Sequence, residues 1–137
     1  MIQETGLVIT EHCLSELEVV LEEMLAGSKA TCVLLINSND GSPLTSRGST
    51  SDLDTTSLAA LAAGAFASTR EIALLVGEPE FTVLFHQGKR HHLHVNLAGE
   101  HGLLMTLFSD DTTVGLVRLC ARKACARIEL LLSQTNQ

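Results

Sequence analysis

Between Leu58 and Ala67 the chain reads Leu-Ala-Ala-Leu-Ala-Ala-Gly-Ala-Phe-Ala, ten residues without a charge, seven of them Ala or Gly. Alanine is the best helix former, and nothing in the run favours a strand. It predicts the middle of a long helix from about Leu53 to Val76, capped by Asp54. Helical spacing assigns Leu58, Leu61, Ala62, Ala65, Ile72 and Val76 to a buried stripe. The other side carries Ala59, Ala60, Ala63, Gly64 and Ala67, where a helix with one buried face would carry polar residues. Small residues let another backbone approach closely. Gly64 costs about 1 kcal/mol in a helix interior, which is easier to understand if something packs against it.

The flanking segments place this helix in a mixed fold. Leu14, Leu17, Leu21, Met24 and Leu25 recur at helical spacing from Glu11 to about Leu25, with Thr10 as N-cap and Gly27 and Ser28 as the stop. Thr31 to Ile36 is a short β-branched apolar run, read as a strand. A turn-rich stretch follows, then a strand from Pro43 to about Arg47, which Pro43 assigns to a sheet edge. Gly77 stops the long helix, and Pro79 blocks its return. Three strands follow, Phe81 to His86, His91 to Leu97 and Leu103 to Phe108. A last helix runs from about Thr113 to Leu132, capped by Asp111 or Thr112, with a polar tail from Ser133 expected to fray. The order is α-β-β-α-β-β-β-α, an α/β (α+β) class chain. Short hairpin links make the strands antiparallel, with helices on both sheet faces.

Composition excludes several functions. With 137 residues the chain makes one domain, 1–137, with an ordered core from about residue 8 to about residue 133. Aromatics are 3% and Trp and Tyr are absent, so stacking platforms for single-stranded nucleic acid are missing. A net charge of −7 repels phosphate backbones and anionic membranes, so neither nucleic acid nor membrane insertion is expected. Six of the 16 acids fall in the first 23 residues, and Arg118, Arg122, Lys123 and Arg127 crowd the last helix. These two segments either face each other or are two ordinary solvated faces. No stretch reaches the roughly 20 apolar residues of a membrane span, and no signal peptide opens the chain. Cys13, Cys32, Cys120 and Cys125 show no C-x-x-C spacing and read as reduced, buried thiols of a cytoplasmic protein.

No catalytic motif emerges. The chain has no G-x-S-x-G and no phosphate-binding G-x-x-x-x-G-K-[ST]. His86, His91, His92 and His94 cluster, with His101 nearby. A two-residue turn at Gly88-Lys89 would set Phe85 opposite His92, and His92 and His94 would share one sheet face. Such a pair could bind zinc, but no Asp, Glu or Cys joins it at ligand spacing. Polar positions on a half-exposed strand are the favoured reading, so no metal and no cofactor are expected. Arg70 could act as an arginine finger, although the prior for one surface arginine is low.

The segment Phe81-Thr82-Val83-Leu84-Phe85 is apolar and lacks proline. At a sheet edge it would invite aggregation. Pairing with the same strand of a second copy removes that edge and brings two Ala-rich helices together. The expected interface comprises Ala60, Ala63, Gly64, Ala67, Phe81, Val83 and Phe85.

These segments resemble the Roadblock (dynein light chain) domain family. Leu58 to Gly64, continuing to Gly77-Glu78, is similar to its central helix. Phe81 to Leu97, with Phe85-His86-Gln87-Gly88-Lys89, resembles the bacterial branch typified by MglB, as does Asp110 to Arg118. The resemblance covers nearly the whole chain in order. It implies a five-stranded antiparallel sheet in the order 2-1-5-4-3, with one helix on one face and the terminal helices on the other. It also implies a homodimer through the third strand and the central helix.

MglB-like members bind a GTP-loaded Ras-like small GTPase, of the MglA type, and raise its hydrolysis rate without inserting a catalytic residue. Other members only tether GTPases or motor subunits. The resemblance therefore implies a non-catalytic dimeric regulator or platform for such a GTPase. Asp54, Ser57, Ser68, Arg70 and Glu71 are the expected contacts around a small-residue floor. A structural adaptor without GTPase activation is the alternative, and a histidine-based metal enzyme is the remote one.

Overall fold

The computed structural model describes residues 7–135. Helix α1 (Glu11–Ser28) starts where the Thr10 hydroxyl accepts the Cys13 N–H at 3.0 Å. It buries Cys13, Leu17, Leu21 and Met24. Gly27 and Ser28, expected to stop it, are helical. The left-handed residue is Lys29 (φ 59°), whose N–H reaches the Leu25 carbonyl. The Ser28 hydroxyl accepts the Ala30 N–H and so satisfies a donor at this end without a terminal glycine.

Strands β1 (Cys32–Asn37) and β2 (Pro43–Gly48) form a hairpin, closed by the Asp40 carboxylate accepting from both the N–H and the hydroxyl of Ser42. Helix α2 (Thr55–Leu75) is capped by Asp54, as expected. Then come β3 (Val83–Gln87), β4 (His92–Ala98), β5 (Gly102–Phe108) and α3 (Val114–Thr135). The hydroxyl that caps α3 belongs to Thr113, which accepts the Leu116 N–H at 3.2 Å, rather than to Asp111 or Thr112. The helix extends through Thr135, past Ser133 where a polar tail was expected, while Asn136 and Gln137 lie outside the described residues.

All strand pairs are antiparallel and the order is β2-β1-β5-β4-β3, with β2 at one edge and β3 at the other. One face packs on α1 and α3 through Val33, Leu35, Leu104, Ala121 and Ile128. The other packs on α2 through Leu34, Ile36, Val95, Leu103 and Met105. This is the Roadblock arrangement that the resemblance implied.

The expected facing of α2 holds at Ala62 and Leu58 but fails at most other positions. The buried residues are Ala59, Ala62, Phe66 and Ala73, whereas Leu61, Ile72 and Val76 are 72%, 59% and 73% exposed. The sheet under α2 already carries bulky side chains, so alanines and one phenylalanine fill the remaining depth. The larger aliphatics are turned outward. By length and composition α2 is also apolar enough to cross a membrane, contrary to expectation. Its abundant alanines raise its hydropathy.

Charge is distributed between the two expected arrangements. Arg127 pairs with Glu23, joining α3 to α1. Glu18 and Glu22 instead grip Arg47 of β2, each at 3.2 Å.

Candidate interaction surface

The free edge of β3 and the outward side of α2 meet along a groove. Leu58, Leu61, Ala65 and Thr69 form its helix wall, and Leu84, Leu93 and Val95 its sheet wall, around about 400 Å³. Leu61 and Ala65 are exposed there because β3 ends the sheet, and no further strand supports a helix above it. The exposed aliphatics continue along α2 through Ile72 and Leu75. An apolar patch of this kind at an open strand edge marks a surface made to be covered.

The sequence-derived interface residues do not all meet here. Val83 and Phe85 lie on the edge strand, as expected. Phe81 precedes the strand and packs on Phe66 with ring centroids 4.9 Å apart, so it anchors the α2 side rather than the edge. Ala60 and Ala63 flank the β1–β2 turn, where a Cβ on Gly41 would lie 3.3 Å from Ala60 Cα and 3.5 Å from Ala63 Cβ. Ala67 is exposed, and Gly64 has open space where a Cβ would point. Leu61, Ala65 and Thr69 were missed as groove residues because the two apolar ones had been assigned to the core. Their one sequence signal was an excess of apolar residues over what a single buried face can hold.

The expected partner contacts are exposed and already carry local roles. Asp54 accepts from both the N–H and the hydroxyl of Ser57, which holds its carboxyl below the usual range. The Arg70 guanidinium lies over the Phe66 ring, 5.2 Å from its centroid, so part of its charge is spent on a cation–π contact. Ser68 and Glu71 point to solvent on the outer side of α2.

His86 lines the α2–β3 groove, whereas His92 and His94 occupy the opposite sheet face. Gln87 pairs with His92 and Phe85 with His94, so the hairpin loop is longer than the two-residue turn expected. The slip is by two residues, which keeps every side chain on its face. His92 and His94 are buried rather than half-exposed, packed with Phe85 and Phe108. An acid does join them: His92 Nε2 lies 2.9 Å from Asp110 Oδ1. The 18-residue separation hid that pair from any spacing rule. Among the described residues no three His, Cys, Asp or Glu side chains converge as a metal site.

The Roadblock/LC7 domain model matches residues 16–108. The chain belongs to the Roadblock/LC7 family. Within it, solved structures place the chain in the MglB-like branch. An MglB solved in a tetrameric arrangement is 31% identical with TM-score 0.90, over 97% of this chain and 99% of that one. The gliding protein MglB of Thermus thermophilus is 32% identical with TM-score 0.88, over 96% and 99%. Myxococcus xanthus MglB is 33% identical with TM-score 0.82, over 88% and 97%. No curated protein matches the sequence. In this MglB-like Roadblock domain, the groove between α2 and β3 is lined mostly by apolar side chains.

Proposed function

We propose that this chain is a non-catalytic homodimeric platform for a Ras-like, MglA-like small GTPase, which it binds in the GTP state and stimulates to hydrolyse GTP. The observation that carries the reading is the uncovered α2 and β3 surface on a chain that matches MglB over nearly its full length. Two copies joined edge to edge through β3 make one continuous sheet and set their α2 helices side by side. The paired helices then offer Leu61, Ile72 and Leu75 as apolar area, with Asp54, Ser57, Ser68, Arg70 and Glu71 as a polar rim. Apolar burial would supply affinity and the rim specificity. Contacts that order the GTPase's switch loops would shift its population toward the competent state. The chain itself needs no cofactor and acts in the cytoplasm.

The test is hydrolysis by the Ras-like GTPase encoded nearest this gene, with and without the chain, alongside pull-downs in GTP and GDP. Preferential binding to the GTP form with faster hydrolysis is expected. The stacking of Arg70 on Phe66 favours indirect stimulation. Arg70→Ala should lower the stimulation far less than the ~10³–10⁵-fold of a true arginine finger. Equal affinity for both nucleotide states would instead establish the passive adaptor.

A further inference from the structure

The β3–β4 hairpin separates its charge between its two ends. From Phe81 to Gly99 the chain has no acid, and the Lys and Arg in that span, Lys89 and Arg90, stand exposed at the closed tip. The open end borders a broad groove of about 910 Å³, where Glu80, Glu100 and Glu129 gather around an apolar wall that includes Phe81 and Leu97. Arg70 is the one cation in that lining among the described residues, and its guanidinium lies over the Phe66 ring. One end of the hairpin is therefore acidic and the other basic.

Backbone pairing fixes which part of β3 faces outward. Leu97 donates its N–H to the Thr82 carbonyl, so Thr82, Leu84 and His86 turn their N–H and carbonyl groups toward β4. Alternation leaves those of Val83, Phe85 and Gln87 pointing away from the sheet. A second β3 added across a two-fold axis runs antiparallel and bonds through these three residues, and full use of them centres the pair on Phe85. The acidic open end of each hairpin then lies beside the basic tip of the other. A slip that brought the two tips together would set Lys89 and Arg90 against their own copies.

We propose that the groove at the open end receives the Lys89–Arg90 tip of a second copy of this chain, so that two protomers clasp each other at both ends of the β3–β3 pair. The inference rests on the dimer reading above and adds the contact that sets its register. Two chains of net charge −7 repel at a distance, so local complementarity has to orient their approach. Glu80, next to the strand, meets the tip, and Glu100 and Glu129 add their negative charge behind it. Arg90 brings a planar fork suited to a carboxylate and Lys89 a compact charge. Phe81 and Leu97 give the aliphatic stems of both side chains an apolar bed. The two-fold axis makes every such contact occur twice.

The probe is the full chain in two charge-reversed forms, followed by analytical ultracentrifugation. One form carries Glu80→Lys and Glu100→Lys, the other Lys89→Glu and Arg90→Glu. All four positions are exposed, so circular dichroism should match that of the natural chain. Each form alone sets like charges together at both clasps, and its homodimer should weaken by about tenfold or more. Mixing the two restores attraction at both clasps and should recover a heterodimer of near-natural affinity. Salt should weaken the natural dimer and strengthen each variant homodimer, because it screens attraction in the first and repulsion in the others. Variant homodimers of natural affinity, or a mixture no tighter than either form alone, would overturn the clasp. Leu61→Arg distinguishes this from failure of the dimer reading. A monomeric natural chain, or one that stays dimeric with Leu61→Arg, removes the β3 pairing itself. A dimer broken by Leu61→Arg but indifferent to the charge reversals removes the clasp alone.

Discussion

Phe85 and His94 face each other across the β3–β4 pair with ring centroids 6.4 Å apart, and the imidazole is fully buried while the phenyl ring is 36% exposed. Burial pushes the His94 pKa below the ordinary 6.5; Asn96 opposes the shift, and the nearby positive Arg118 adds to it. The folded chain therefore binds this proton more weakly than the unfolded chain does. Stability should be unaffected above the unfolded value and fall as pH drops from about 6.5 toward the lower folded value. Thermal melts across about pH 5 to 7 should show Tm declining toward acid, and His94→Leu should flatten that slope. An unchanged slope in the variant would assign the acid sensitivity to other groups.

Leu61 is the most direct probe of the proposed dimer. It is 72% exposed on the groove wall next to the β3 edge, so it can be changed without opening the core. Leu61→Arg should give a folded monomer by light scattering at micromolar concentration, where the natural chain is expected to be a dimer. Burying an unpaired charge in an interface costs several kcal/mol, on the order of 3–5, enough to separate the protomers. A dimeric Leu61→Arg protein, or a monomeric natural chain, would count against the pairing.

Two glycines should respond in opposite ways. Gly48 has φ +102°, and a Cβ there would lie 2.5 Å from the Thr31 carbonyl oxygen and 2.8 Å from Cys32 Cα. Backbone cannot yield at both points, so Gly48→Ala should destabilise by about 3 kcal/mol in urea unfolding. Gly64 sits in the α2 interior with nothing within 4 Å of where a Cβ would go. Gly64→Ala should stabilise a monomeric Leu61→Arg background by up to about 1 kcal/mol through helix propensity. In the natural chain the same change tests whether α2 approaches its copy at Gly64, since a loss of dimer affinity would show contact there.

The four thiols should not react alike. Cys13, Cys32 and Cys125 are buried and Cys120 is half-buried. Burial, with a smaller contribution from Glu129, pushes the Cys125 thiol up to about 12. At neutral pH it is neither a thiolate nor accessible. Under native conditions iodoacetamide followed by peptide mass mapping should find Cys120 modified first and Cys125 last. Early labelling of Cys125 would mean that α3 opens readily.

Local chemistry was legible in the residues themselves. Thr10 and Asp54 cap their helices where short polar side chains had to, Pro43 lies on an edge strand, and the short hairpin links made an antiparallel sheet inescapable. These features depend on neighbours a few positions away, so sequence determines them. The strand order itself came from family resemblance. Tertiary structure alone decided which side of α2 faces inward, because alanines and leucines are both apolar and only the depth left above Leu34, Ile36 and Met105 selects the smaller ones. It also decided that Asp110 meets His92, and that Asn96 comes to lie beside Arg118 and Arg122 under α3. Those juxtapositions depend on strand register and helix docking, which pack together side chains far apart in the chain and leave no periodic trace along it.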